Sequence, residues 1–166
     1  MVSLRIRYIT TVLDDIMKQT PQEIKIDKRM QPGVITLSGF LGDDTRHYHE
    51  IIETDEQTLE NLGKTPEEIA DRMQYFTDAS WNSYDTPLEI ENKFVVETEV
   101  VRGKLPCPFS HPGVYRKAVT RLTNTELGLT ISWSSLNLHM IKEHHFFEGS
   151  GSVFRIEPEL LVKVLF

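Results

Sequence analysis

Apolar residues recur at helical spacing through the middle of the chain and alternate with polar ones through much of its second half. From about Arg46 to Leu62, steps of 100° put Tyr48, Ile51, Ile52, Leu59 and Leu62 on one face. This predicts a helix, with Asp43 or Asp44 as cap and Gly63 at its end. A second helix is predicted from Thr65, where Pro66 takes the first helical position and Glu68 completes a capping box. Its stripe is Ile69, Ala70, Met73 and Phe76.

Beyond it, Phe94, Val96, Thr98 and Val100 alternate with Glu97 and Glu99, which predicts a strand. Val114 to Leu122 reads as a second strand, and Leu127, Leu129, Ile131 and Trp133 as a third after the turn at Asn124. A helix from about Leu136 to Phe147 follows, capped by Ser134 or Ser135 and ending near Gly149. Then come a short strand through Phe154 and an amphipathic segment from Pro158. The first third predicts shorter pieces: a strand over Leu4–Ile9, a brief helix over 12–18, a strand over Glu23–Lys28, and a buried strand from Val34 to Phe40.

Helices in pairs and strands in a meander point to an α+β fold, with a mostly antiparallel sheet packed by a helix pair and a further helix. The chain of 166 residues falls within the usual size of one domain, so 1–166 is read as a single globular unit. Between the first two of those strands, Pro106, Pro108 and Pro112 make a stiff extended loop.

Composition narrows the function classes. With 39% hydrophobic and 26% charged residues the chain is neither disordered nor fibrous. Its net charge of −7 argues against nucleic-acid binding by bulk positive charge, and its basic residues form no run. One cysteine, Cys107, excludes an internal disulfide. Arg5 and Arg7 interrupt the apolar N-terminus, and the C-terminal LLVKVLF is far shorter than a membrane span, so a cytoplasmic protein without a membrane partner is expected. That same apolar C-terminus, Leu160 to Phe166, raises the expectation of a homo-oligomer.

Candidate chemistry is sparse. Asp55 falls within the apolar stripe of the first long helix. A carboxylate there is either a base or ligand in a site, or one half of a structural pair. His139 and Glu143, four apart, share a helix face, and His144 lies on the apolar side between Met140 and Ile141. His139, Glu143 and His144 are therefore the candidate metal ligands, with a divalent metal such as zinc as candidate cofactor. A zinc site needs three or four converging donors, and that helix supplies too few by itself. In the proline loop, Cys107 reads as a small apolar plug and His111 as a site residue held at low entropic cost.

Glycine loops at SGFLGDD and Gly149–Ser152 match no phosphate-binding spacing. Two functions follow. The first is a small-molecule enzyme, metal-assisted, with Asp55, His111 and Glu143 in acid–base roles. The second is a non-catalytic oligomeric binding or assembly protein whose polar outliers are structural pairs. Convergence of Asp55, His111, His139 and Glu143 would separate them.

Overall fold

The computed structural model describes residues 19–83 and 86–166. The predicted strand at 4–9 and helix at 12–18 lie outside them. The first described element is a helix, α1 (Pro21–Met30), where the sequence pattern suggested a strand. The physical reason is local. Thr20 accepts from the Glu23 backbone N–H at 3.2 Å and Glu23 returns the bond to the Thr20 N–H at 2.6 Å, a capping box with proline at the first helical position. Only Ile26 and Met30 of this helix are buried, so its apolar stripe is too thin to announce itself. The segment 34–40 is likewise no strand: it runs through turns and bends, and Leu37 is 93% exposed.

Helix α2 (Tyr48–Asn61) begins two residues later than its pattern suggested and is capped by His47 instead of Asp43 or Asp44. Tyr48, Ile51, Asp55 and Leu59 form its buried face, while Leu62 is exposed beyond its end. Helix α3 (Pro66–Ser80) carries the capping box read from Thr65 and Glu68 and buries Ile69, Ala70, Met73 and Phe76.

Four antiparallel strands follow as a meander in the order β1-β2-β3-β4: β1 (Leu88–Ile90), β2 (Phe94–Pro106), β3 (Val114–Asn124) and β4 (Leu129–Ser134). The fold is α+β. Phe94, Val96, Leu122, Ile131 and Trp133 point to the face that α3 covers, together with α4 (Ser135–His144) and α5 (Pro158–Leu165). Thr98 and Thr120 occupy inward positions because their hydroxyls are satisfied across the interface. Thr120 lies 2.8 Å from Thr98 and 3.1 Å from Thr77, Ser80 lies 2.6 Å from Thr98, and Trp133 Nε1 donates to Thr77 at 2.9 Å.

α4 ends at His144, three residues before the predicted Phe147, and the following His145 turns left-handed (φ 54°). No strand forms at Phe154. The C-terminal segment becomes α5, whose Leu161, Val164 and Leu165 are fully buried in the chain's own core. Part of the apolarity that suggested a second copy is thus buried within the chain, while Phe166 stays 48% exposed. Among the described residues no helix is long and apolar enough to cross a membrane.

One feature of the sheet positions the site. β1 pairs with β2 only over Phe94–Val96, and β4 pairs with β3 only from Val119 onward. From Val100↔Ala118 to Pro106↔Val114, β2 and β3 continue alone as a two-stranded ribbon with a bulge between Val100 and Lys104. The proline loop 107–113 closes this ribbon. A second cluster holds it down, in which Ile26, Met30, Ile51 and Met140 pack around a fully buried Cys107.

Candidate metal centre

The ribbon's closing loop turns back around its own cysteine. The Cys107 thiol lies near the backbone N–H groups of Phe109 and His111, which favour its charged form, and Ser110 between them is left-handed (φ 60°). From α1, the Arg29 guanidinium donates to the Cys107 carbonyl at 2.7 Å and to the Pro108 carbonyl at 3.1 Å, so the loop's shape is held from outside. The last two turns of α4 face this loop and present His139 and His144. The rings are fixed by stacking: Tyr115 on His139 at 4.0 Å and Phe109 on His144 at 4.2 Å between centroids.

Cys107, His139 and His144 each offer one donor atom, and the three atoms lie within 4.8 Å of one another. Cys107 Sγ is 3.4 Å from His144 Nε2, close to the roughly 3.6 Å that two ligands of one tetrahedral zinc would show. His111 stands beside them. Ring centroids are 5.0 Å apart for His111–His139, 5.3 Å for His139–His144 and 5.7 Å for His111–His144. Zinc–nitrogen bonds of about 2.0–2.1 Å at tetrahedral angles put imidazole centroids roughly 5.2 Å apart. The His111 ring stands at about that distance, but the donor atoms that converge within 4.8 Å are those of Cys107, His139 and His144.

The electrostatics agree. Burial, with the neighbouring histidines, lowers the His139 pKa to about 4 against the opposing pull of Glu143. Burial and His111 lower that of His144 as well. Both imidazoles are neutral at pH 7, the form that ligates metal. His139 Nε2 is buried and has no hydrogen-bond partner among the described residues, an orphan that a metal bond would satisfy. Burial pushes the Cys107 thiol up, opposed by the two N–H groups and the charge of Arg29. Thiolate binding to metal therefore releases a proton.

Of the residues singled out in the sequence, His111, His139 and His144 come together. Glu143 is exposed, lies outside the donor cluster and acts on it only through its charge. Asp55 forms a separate network. Its Oδ1 accepts from Arg155 Nη2 at 2.8 Å and its Oδ2 from Nη1, with both side chains almost fully buried. Sequence reasoning treated Cys107 as a plug and missed it as a donor. The signal was the pairing of Cys-x3-His in the loop with His-x4-His on the helix, two half-sites with ligand spacing. No family model matches this chain, and no curated protein or solved structure matches it.

Proposed function

We propose that this chain is a zinc-binding protein in which Cys107, His111, His139 and His144 hold one ion, and that the ion clamps the ribbon's closing loop onto α4. The observation that carries this reading is the convergence of a cysteine sulfur and two imidazole nitrogens, those of Cys107, His139 and His144, within 4.8 Å, with the His111 ring beside them. Mixed thiolate and imidazole donors suit zinc over magnesium or calcium. With the neighbouring His111 ring turned in as fourth ligand the site is closed, which favours a structural ion in a binding or assembly protein.

The test is metal content and cobalt substitution. Protein purified without chelators carries about one zinc per chain. Cobalt replaces it with the intense visible bands of a tetrahedral ion and a sulfur-to-cobalt charge-transfer band. Cys107→Ser removes the charge-transfer band, and His139→Ala abolishes uptake. Protein that takes up neither metal at micromolar concentration overturns the reading.

Metal-assisted chemistry on a small molecule is the second reading, favoured by a cleft of about 510 Å³ beside His139 that Tyr115 and Glu143 also line. It requires His111 to give way to water, with Glu143 as base. Azide added to the cobalt protein decides between them: a spectral change marks an exchangeable position, and an unchanged spectrum marks a closed one.

A further inference from the structure

Among the described residues, the ribbon that carries the loop holds four basic side chains on two paired strands. Arg102 and Lys104 on β2 and Arg116 and Lys117 on β3 are all exposed. In a chain of net charge −7, none of the four makes an ion pair or a side-chain hydrogen bond with a described residue. Among the described residues, Arg46, Arg72, Arg121, Lys142 and Arg155 each meet a carboxylate, whereas Lys25, Lys28, Lys93 and Lys163 do not, so what sets the ribbon apart is four such cations on two paired strands.

Register sharpens the point. Lys104 and Arg116 are direct cross-strand partners, and like charges directly opposite destabilise an antiparallel pair. Gly103 at the bulge (φ 121°) leaves room for Lys117 to lie across it, since a Cβ there would approach Lys117 Cδ to 3.2 Å. The fold thus gathers four cations where the two strands stand free of neighbours, at a cost that packing does not return. An anion laid along the ribbon returns it.

Arg116 also lines the 510 Å³ cleft between α3, β3 and α4, which holds Trp81, Tyr115 and Lys142 alongside the carboxylates Asp78 and Glu143. Of the four cations only Arg116 lines the cleft, while Lys117, its neighbour in β3, leaves the opposite face of the ribbon. Cations beside a cleft with aromatic rings are the elements of single-strand nucleic-acid binding: charge tracks the phosphates and rings stack on bases. A bilayer is a poorer fit. The exposed apolar residues on the ribbon are Val100, Val101 and Val114, while the aromatic rings that anchor proteins at a membrane surface lie in the concave cleft.

We infer that the 100–118 ribbon and the adjoining Trp81 cleft bind single-stranded nucleic acid, Arg102, Lys104, Arg116 and Lys117 contacting phosphates and Trp81 stacking on a base. Glu99, exposed at the base of the ribbon, marks where the positive track ends. The inference stands on the ribbon's cations and on Trp81 at the end of α3, and does not require the metal reading.

Fluorescence anisotropy of labelled oligothymidylate with the zinc-supplemented protein tests it. Binding is expected at about 50 mM salt, with log K falling against log salt at a slope of roughly −3 for four phosphate contacts. Replacing Arg102, Lys104, Arg116 and Lys117 together by Gln weakens binding at that salt more than tenfold and brings the residual slope near zero. Trp81→Ala weakens binding roughly fivefold or more and leaves the slope unchanged. The cationic positions are exposed, so an unchanged melting temperature and circular dichroism spectrum confirm folding of the charge variant. No binding by the wild type, an unchanged slope in that variant, or equal binding of duplex DNA, polyglutamate or phosphatidylserine vesicles overturns it.

Discussion

Glu148 shows how far a single residue can depart from its sequence appearance. In the chain it is one acid among 25, yet it is 3% exposed. It accepts from Asn137 Nδ2 at 2.6 Å and from the Ser152 hydroxyl. Burial raises its pKa to about 7, against the opposing pull of those two bonds and of Arg155. A carboxyl whose folded pKa is raised stabilises the fold fully below its unfolded value and loses that contribution as pH climbs through the folded value. Wild type should therefore lose stability between pH 5 and pH 8 by up to about 3 kcal/mol relative to Glu148→Gln, which keeps the neutral form throughout. Urea unfolding of both proteins across that range measures the difference; parallel curves would remove Glu148 from the account. Asp55 was visible in the sequence because it interrupts an apolar stripe, whereas Glu148 lies beyond α4 in irregular chain with no periodicity to violate.

Elements were legible where their ends carry chemistry of their own. α3 is readable because Thr65, Pro66 and Glu68 close a box within four residues and the stripe behind them is continuous. Thr65→Ala should cost about 1 kcal/mol, read as a lowered denaturation midpoint with the slope unchanged. α1 carries the same box at Thr20 and Glu23 and was still misread, because the short alternation at Glu23–Lys28 suggested a strand. The segment 34–40 failed in the opposite way. Val34, Ile35 and Leu37 look strand-like, but a strand needs a neighbour, and the positive-φ Gly33 and Gly39 turn the chain away from any. The alternation locates β2 to β4 because it coincides with one covered face, but not their ends: β2 continues past Val100 to Pro106, and β4 starts at Leu129 where the pattern begins at Leu127.

Across the whole molecule, long-range pairs decide what the polar outliers do. Arg155 joins Asp55 from 100 positions away and also meets Glu157 at 2.8 Å. Burial works against its charge, yet the bonds to Asp55 and Glu157 hold its pKa above the usual guanidinium range. Removing one member leaves a buried charge, so Asp55→Asn should cost roughly 3 kcal/mol or more. Zinc uptake by the folded variant should be unchanged, because the network is separate from the donor cluster. Calorimetry together with metal analysis checks both, and lost uptake at unchanged stability would place Asp55 in the site after all.

Capping chemistry, alternation and the proline loop depend on neighbours a few residues apart, and from these the sequence by itself determined the α+β class, the helix pair, the meander and the stiffness of the segment holding Cys107 and His111. What only the tertiary structure decided is which distant groups meet. Cys107 lies 32 residues from His139, and Arg102 and Lys104 lie 12 or more from Arg116 and Lys117 across a turn whose register is set by the bulge after Val100. Such meetings follow from register and from the packing of α4 over the ribbon's end. Neither leaves a period in the chain, so a cysteine that read as a plug and cations that read as scattered became a donor set and a charged ribbon only on folding.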